Sequence, residues 1–117
     1  MQTEALKRLF DAFTAIESIE RFIANSTLDQ YLDNELIQSA VERKFEIIGE
    51  ALKRASEADP NLLNAIPDLR RIIGTRNRII HVYEAVDQLI LWDAIQNDLP
   101  SLRNCLLEML NNDPSTT

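Results

Sequence analysis

Residues 35–56 read ELIQSAVERKFEIIGEALKRAS, and this stretch largely decides the fold. Apolar side chains recur in it at steps of three and four, which is the spacing of one helix face: Leu36, Ile37, Ala40, Val41, Phe45, Ile48, Ala51, Leu52 and Ala55. We therefore predict a long helix from about Asp33 to Glu57. Gly49 inside it costs about 1 kcal/mol relative to alanine, so we expect another helix to pack closely there.

A second amphipathic helix is predicted upstream, from about Thr3 to Ala24, with Thr3 as its N-cap. Its apolar stripe consists of Leu6, Phe10, Phe13, Ile16, Ile19 and Ile23. Residues 25–34 are rich in polar capping residues and predict a loop with a short helical turn. Downstream, residues 58–68 contain two prolines and predict a break with room for one turn.

Two further helical segments are predicted in the second half of the chain. One covers about Asp68 to Ile80, with inward-facing residues Leu69, Ile72, Ile73, Ile79 and Ile80. The other begins at Asp87 as N-cap, and its stripe continues past Pro100, so we predict a kink there and not two separate helices. That stripe consists of Leu89, Trp92, Ile95, Leu99, Leu102, Leu106 and Met109.

Length and composition favour one helical domain over residues 1–111, followed by a flexible tail at 112–117. The chain has 117 residues, 45% of them apolar, with two glycines and four prolines. We predict an all-α, up-and-down bundle of four to five helices, with apolar surface to spare for a symmetric dimer. A single cysteine excludes an internal disulfide, and without a signal sequence or membrane span we expect a cytoplasmic protein with no membrane partner.

The charge distribution narrows the classes of partner. A net charge of −7 argues against broad, charge-driven binding to nucleic acid. Residues 68–83 nevertheless carry four arginines against Asp68 alone, a local balance of +3. This basic segment fits a focused anion site, and it fits equally a basic surface that docks against an acidic protein.

The segment 74–83, GTRNRIIHVY, contains the only histidine of the chain. If the third helix ends near Ile80, the chain can turn and bring His81 beside Arg76, with Asn77 and Tyr83 on either side. Histidine can move a proton to or from a ribose hydroxyl near neutral pH, and arginine can stabilise a charged phosphorane, so the set suits RNA cleavage without a metal or other cofactor. An R-x4-H spacing is common, however, and a lone histidine at a helix end usually caps or packs.

A family resemblance covers nearly the whole chain. RNRIIHVY resembles the R-x4-H-x-Y signature of the HepT toxins, a branch of the HEPN superfamily also catalogued as the domain family DUF86. The stretch at 35–56, the block IPDLRRIIGTRNRIIHVYEAVD and the segment LWDAIQNDLPSLRNCL are similar to that family's central helix, motif block and final helix. This sequence differs from the family pattern at Val82, where many relatives have glycine, and at Asp68, where relatives often have tryptophan.

The resemblance implies a dimeric, metal-independent endoribonuclease toxin with its motif at the dimer cleft, acting on tRNA or mRNA. Arg76 would bind the scissile phosphate, His81 would be the general acid and base, and Asn77 and Tyr83 would support them. It also implies a partner, a minimal nucleotidyltransferase antitoxin that transfers AMP to Tyr83 in a type VII-like system. The alternative is a non-catalytic helical dimer that binds such a partner or a nucleotide.

Four further charged residues are assigned more loosely to the site. In the family context, Glu46 and Glu50, one turn apart, would hold the motif arginines or line the dimer cleft, since two carboxylates alone are weak evidence for a metal. Arg71 and Arg78 are candidate cleft residues in the basic segment. Arg43, Lys44 and Lys53 are interpreted as part of a solvated face.

Overall fold

The computed structural model describes residues 2–80 and 86–114. Within these two ranges the chain is all-helical, which confirms the predicted fold class. Seven helices occur there: α1 (Thr3–Ile23), α2 (Leu28–Leu32), α3 (Glu35–Ala58), α4 (Leu62–Ala65), α5 (Leu69–Ile80), α6 (Gln88–Asn97) and α7 (Leu99–Asn112). The two short helices, α2 and α4, are the helical turns predicted at residues 25–34 and 58–68.

The pair formed by α1 and α3 is the framework of the bundle. With 21 and 24 residues, the two helices are about 32 and 36 Å long. They pack along each other, α7 lies against α1, and α5 lies against α3. Because α5 carries the arginines of the motif, its packing on α3 determines where the candidate site lies.

The buried face of α1 differs from the predicted stripe. Its buried row consists of Ala5, Leu9, Ala12, Ile16 and Ile19, whereas Phe10 is 55% exposed. Both rows follow helical spacing, but the alanine-containing row lets α3 approach closely, and the prediction had counted only large side chains. Thr3 was also wrong as the N-cap: it is the first helical residue, and Gln2 precedes it without a side-chain cap.

Side-chain caps fix the starts of α2 and α3. The Thr27 hydroxyl accepts a hydrogen bond from the Gln30 backbone N–H, and the Gln30 side chain accepts one from the Thr27 N–H, which is a capping box. Asn34 then caps α3 by accepting from the Ile37 N–H at 3.0 Å. The connection from α1 to α3 is therefore made in eleven residues that include α2.

The predicted single kinked helix at the C-terminal end was wrong. The structure has two helices, α6 and α7, separated by Asp98, with Pro100 in the first turn of α7. Proline has no N–H for the carbonyl four residues earlier, and its ring clashes with that carbonyl, so the helix is interrupted within one turn of Pro100. The interruption is small, because the Asp98 N–H still donates to the Ala94 carbonyl oxygen at 2.8 Å.

The start of α6 agrees with the predicted cap, and its predicted face is correct at Trp92 and Ile95 but wrong at Leu89. Asp87 accepts hydrogen bonds from the N–H groups of Leu89 and Ile90, at 3.0 and 3.2 Å. Leu89 is 58% exposed, and Leu91 is buried in its place. The capping residue was therefore sufficient to predict where α6 begins. The rotation of α6 about its own axis depends on the helices packed against it.

A partly buried polar chain ties α6 to α2 and α3. The Tyr31 hydroxyl donates to Gln88 Oε1 at 2.5 Å, and Gln88 Nε2 donates to Glu42 Oε2 at 3.2 Å. The Tyr31 and Trp92 rings lie 4.9 Å apart between centroids. Burial, and secondly the charge of Glu42, raises the pKa of Tyr31. The first residue of α6 is thus held from two sides.

The C-terminal end of the described chain is packed. α7 includes Asn112, one residue beyond the predicted domain end, and Asp113 is buried. Residues 115–117 of the predicted tail lie outside the described residues. Across the two described ranges, no helix combines the length and the apolar character needed to cross a membrane.

Candidate functional site

Arg76 lies on the inward-facing side of α5. Leu69, Ile72 and Ile79 are buried on that helix, and position 76 continues their three-and-four spacing. The Arg76 side chain is accordingly only 15% exposed. An arginine at this position directs its aliphatic stem against α3 and its guanidinium towards the edge of the helix pair.

Gly49 is where that stem meets α3. A Cβ atom built at Gly49 would lie 2.7 Å from Arg76 Cγ, 2.8 Å from its Cβ and 2.9 Å from its Cδ. These distances are too short for carbon atoms, so only glycine leaves room for the arginine stem. The predicted close approach of another helix at Gly49 is confirmed, and the group that approaches is the arginine of the motif.

Glu50, the next residue, contacts the guanidinium. Its Oε2 lies 3.4 Å from an Arg76 terminal nitrogen, and its Oε1 accepts from Arg54 Nε at 2.8 Å. The Arg54 hydrogen bond, with the positive charges of Arg54, Arg76 and Lys53, lowers the pKa of Glu50 against the opposing effect of burial. Glu50 therefore stays ionised and bridges two arginines, which agrees with its expected role of holding a motif arginine.

The Arg76 guanidinium keeps unused hydrogen-bonding capacity. Its Nε is buried and makes no hydrogen bond to any described residue. One terminal nitrogen donates to Asn77 Oδ1, at a long 3.4 Å. An arginine has five N–H donors, so this group is anchored through its stem and retains donors for an incoming anion.

The other arginines of the basic segment lie elsewhere. Arg71 pairs with Asp98 at 3.1 Å, at the junction between α6 and α7, with its side chain 69% exposed. Arg78 is exposed in the last turn of α5, and Asn77 is exposed beside Arg76. The structure thus brings together Arg76, Asn77 and Glu50, whereas Arg71 belongs to a different contact.

His81, Val82 and Tyr83 lie outside the described residues. The last described residue before them is Ile80, the final residue of α5. His81 is therefore adjacent in sequence to a helix whose register on α3 is set by Arg76 and Gly49.

A groove of about 720 Å³ runs between α1 and α3 and includes Arg76. Charged residues from three helices line it: Arg8 and Asp11 from α1, Arg43, Lys44, Glu46 and Glu50 from α3, and Arg76 from α5. Glu46 lines this groove and pairs loosely with Arg43 at 3.9 Å, and its expected place in a dimer cleft stays a prediction. Among the described residues, no group of three or more His, Cys, Asp or Glu side chains could hold a metal ion.

Several groove residues were missed from the sequence. Arg8 and Asp11 belong to α1, more than sixty residues from the motif, and no local pattern connects them to it. Arg54 does not line the groove, but its ion pair with the groove residue Glu50 could have been predicted, because the two have the i, i+4 spacing of an ion pair on one helix face. Arg43, Lys44 and Lys53 had been interpreted as a solvated face: Arg43 and Lys53 are exposed and Lys44 is half-buried, and Arg43 and Lys44 also line the groove.

Comparison with known proteins gives consistent matches. The family model described as "Ribonuclease HepT-like" matches residues 13–109. A protein of Thermococcus cleftensis named "Probable ribonuclease HepT" is 38% identical over 95 residues, covering 81% of this chain and 86% of that protein. A protein of Methanocaldococcus jannaschii named "Putative RNase" is 30% identical over 95 residues, covering 81% and 78%. No solved structure matches significantly.

Proposed function

Because the chain belongs to the HepT-like ribonuclease family, we propose that it is an RNA-cleaving toxin whose reaction depends on Arg76 and His81. The observation that carries this proposal is the seating of Arg76. Its stem is fixed on Gly49 and one terminal nitrogen is held by Glu50 at 3.4 Å, while the other terminal nitrogen makes only a long hydrogen bond, 3.4 Å, to Asn77 Oδ1. A preorganised cation with free donors suits the charge that develops on a phosphate during cleavage.

The reaction follows from the chemistry of these two side chains. The His81 imidazole takes the proton of a ribose 2′-hydroxyl, and that oxygen attacks the adjacent phosphorus. The bond from phosphorus to the 5′-oxygen breaks, and an imidazolium protonates the leaving oxygen. Arg76 stabilises the additional negative charge on the phosphorane. The nucleophile belongs to the substrate, so this reaction proceeds without a metal.

A symmetric dimer completes the acid and base pair. Each chain contains one histidine, whereas the reaction needs a base and an acid in the same step. Two copies of the motif at one cleft supply both, and two-fold symmetry makes the cleft equivalent for either chain.

Control of the toxin is assigned to Tyr83. A cognate minimal nucleotidyltransferase transfers AMP from ATP to the tyrosine hydroxyl, with release of pyrophosphate. One residue, Val82, separates Tyr83 from the proposed base His81. A bulky, negatively charged adenylate at this position repels the RNA backbone and blocks the cleft.

The cleavage proposal is tested with His81→Ala and Arg76→Lys, which retains the charge but not the bidentate fork. Both variants should keep the helical circular dichroism of the parent, lose RNA cleavage and relieve growth inhibition. Arg71→Gln serves as the matched control, since Arg71 pairs with Asp98 away from Arg76, and it should cleave normally. Cleavage should persist in EDTA. If His81→Ala cut RNA as fast as the parent, the alternative of a non-catalytic binding dimer would replace this proposal.

The modification is tested separately by mass spectrometry. The purified chain is incubated with ATP and a cognate minimal nucleotidyltransferase, and the mass should rise by one or more AMP units. Tyr83→Phe should show no such rise, whereas Tyr31→Phe, which removes the other tyrosine of the chain, should still be modified. A mass increase that persisted in Tyr83→Phe would assign the acceptor to another residue.

A further inference from the structure

The groove between α1 and α3 extends beyond Arg76 and contains a cation that is not neutralised locally. Arg8 pairs with Glu4 at 2.9 Å, Arg43 with Glu46 at 3.9 Å, and Arg76 with Glu50 at 3.4 Å. Lys44 is half-buried in the groove wall and forms no ion pair with any residue in the two described ranges. Lys44 is therefore the groove cation most available to an external anion.

The charge balance of the groove is opposite in sign to that of the protein. Four cations and three carboxylates line the groove, whereas the whole chain has a net charge of −7. The three carboxylates are Asp11, Glu46 and Glu50, and the last two contact arginines of the groove. The acidic remainder of the surface repels a polyanion, so an anionic chain is expected to bind at this groove.

The spacing along α3 suits two phosphates of one strand that lie about two nucleotides apart. Arg76 meets α3 at Gly49, and Lys44 lies five residues earlier, about 7.5 Å along the helix axis. Successive nucleotides of a stacked strand advance by about 3.4 Å. A strand with one phosphate at Arg76 therefore presents another near Lys44 about two nucleotides away.

We propose that this groove binds the RNA strand on one side of the scissile phosphate, with Lys44 as a phosphate contact and Arg76 at the cleavage point. The inference rests on the proposed ribonuclease function and adds to it the path of the substrate. The contact is to the sugar–phosphate backbone, so it contributes affinity and register but no sequence preference.

The test measures binding without cleavage. The probe is a fluorescent single-stranded oligoribonucleotide with 2′-O-methyl groups, which lacks the nucleophilic hydroxyl, and its affinity is measured by anisotropy across a series of salt concentrations. The slope of log affinity against log salt is negative, and Lys44→Gln should make it less steep by about 0.7, the value for one phosphate contact on a single strand. Lys7→Gln makes the same charge change on an exposed residue of α1 outside the groove, and its slope should equal that of the parent.

Cleavage of an unmodified oligoribonucleotide gives a second readout. Lys44→Gln should raise KM and leave kcat unchanged, because a phosphate contact distant from the reacting bond stabilises ground state and transition state equally. An unchanged slope, or equal losses in Lys44→Gln and Lys7→Gln, would overturn the proposal. So would a shift of Lys44→Gln from dimer to monomer with the slope intact, since a second copy would then occupy the groove.

Different results would contradict the ribonuclease proposal and the groove proposal. If the parent cleaves RNA and Lys44→Gln keeps its slope, the ribonuclease stands and the groove assignment is wrong. If the parent does not cleave RNA but Lys44→Gln loses slope, the groove binds RNA and the ribonuclease proposal is wrong.

Discussion

At the residue scale, the contact between Gly49 and Arg76 links the fold to the candidate site. We expect Gly49→Ala to displace Arg76, because the added Cβ would lie 2.7–2.9 Å from three carbons of the arginine stem. Overpacking of this kind costs about 1–3 kcal/mol, partly offset by about 1 kcal/mol of helix propensity. Chemical denaturation should show a net loss of stability, and RNA cleavage should fall at least tenfold, since even small misplacements of a catalytic group are costly.

Gly74 provides the matched control. It lies exposed on α5, and a Cβ there meets nothing within 4 Å. Gly74→Ala should therefore stabilise the protein by up to about 1 kcal/mol and leave cleavage unchanged. If both alanine variants behaved alike in denaturation and in cleavage, the close approach at Gly49 would not matter for the site.

Glu50 is a positioning residue, and its effect should appear in kcat. Glu50→Gln keeps the shape of the side chain but removes the charge that holds Arg54 and Arg76. We expect kcat for RNA cleavage to fall about tenfold with little change in KM, because the guanidinium is less well oriented in the transition state. Glu57→Gln, an exposed change on the same helix, is the control. A rise in KM alone would show that Glu50 influences binding and not orientation.

At the element scale, the Tyr31–Gln88–Glu42 chain holds the start of α6. Tyr31→Phe removes the hydroxyl that donates to Gln88 Oε1. Loss of this hydrogen bond should lower the free energy of unfolding by about 1–3 kcal/mol. The pKa of Tyr31 is raised in the folded state, so its stabilising contribution is complete below the ordinary tyrosine pKa of about 10 and is lost as the pH rises above it.

Denaturation midpoints on both sides of pH 10 measure this effect. The parent should lose stability as the pH rises above 10, and Tyr31→Phe should lose less over the same interval. Tyr83→Phe changes the only other tyrosine and should keep the parental pH dependence. An equal alkaline loss in the parent and in Tyr31→Phe would remove Tyr31 as its cause.

The helices also show which structural features can be predicted from the sequence. The Asp87 cap and the bounds of α5 follow from local hydrogen bonding and apolar spacing, and both predictions were correct. The exposed Phe10 and Leu89 were predicted to be buried, because spacing identifies a helix but not which of two adjacent apolar rows meets the next helix. The site shows the same limit: Gly49 indicated a close neighbour, but only the packing of α5 on α3 identifies that neighbour as Arg76.

At the scale of the whole molecule, the proposed dimer predicts activity that depends on concentration. Sedimentation at high concentration should give twice the 13.4 kDa of the chain. The specific rate of RNA cleavage should fall when the protein is diluted below the dissociation constant of the dimer, because one chain has one histidine. A specific rate that stayed constant while sedimentation showed monomer would place acid and base within one chain.

α3 contacts both helices that flank residues 81–85, namely α5 and α6. α5 is seated at Gly49 and Glu50, and α6 is tied to Glu42, about 11–12 Å away along the axis of α3. The separation of the two anchors is therefore set by α3 and not by the sequence that joins them. We therefore expect that exchanging residues 81–85 for the corresponding five residues of a relative leaves the contacts of Arg76 with Gly49 and Glu50, and of Gln88 with Glu42, unchanged.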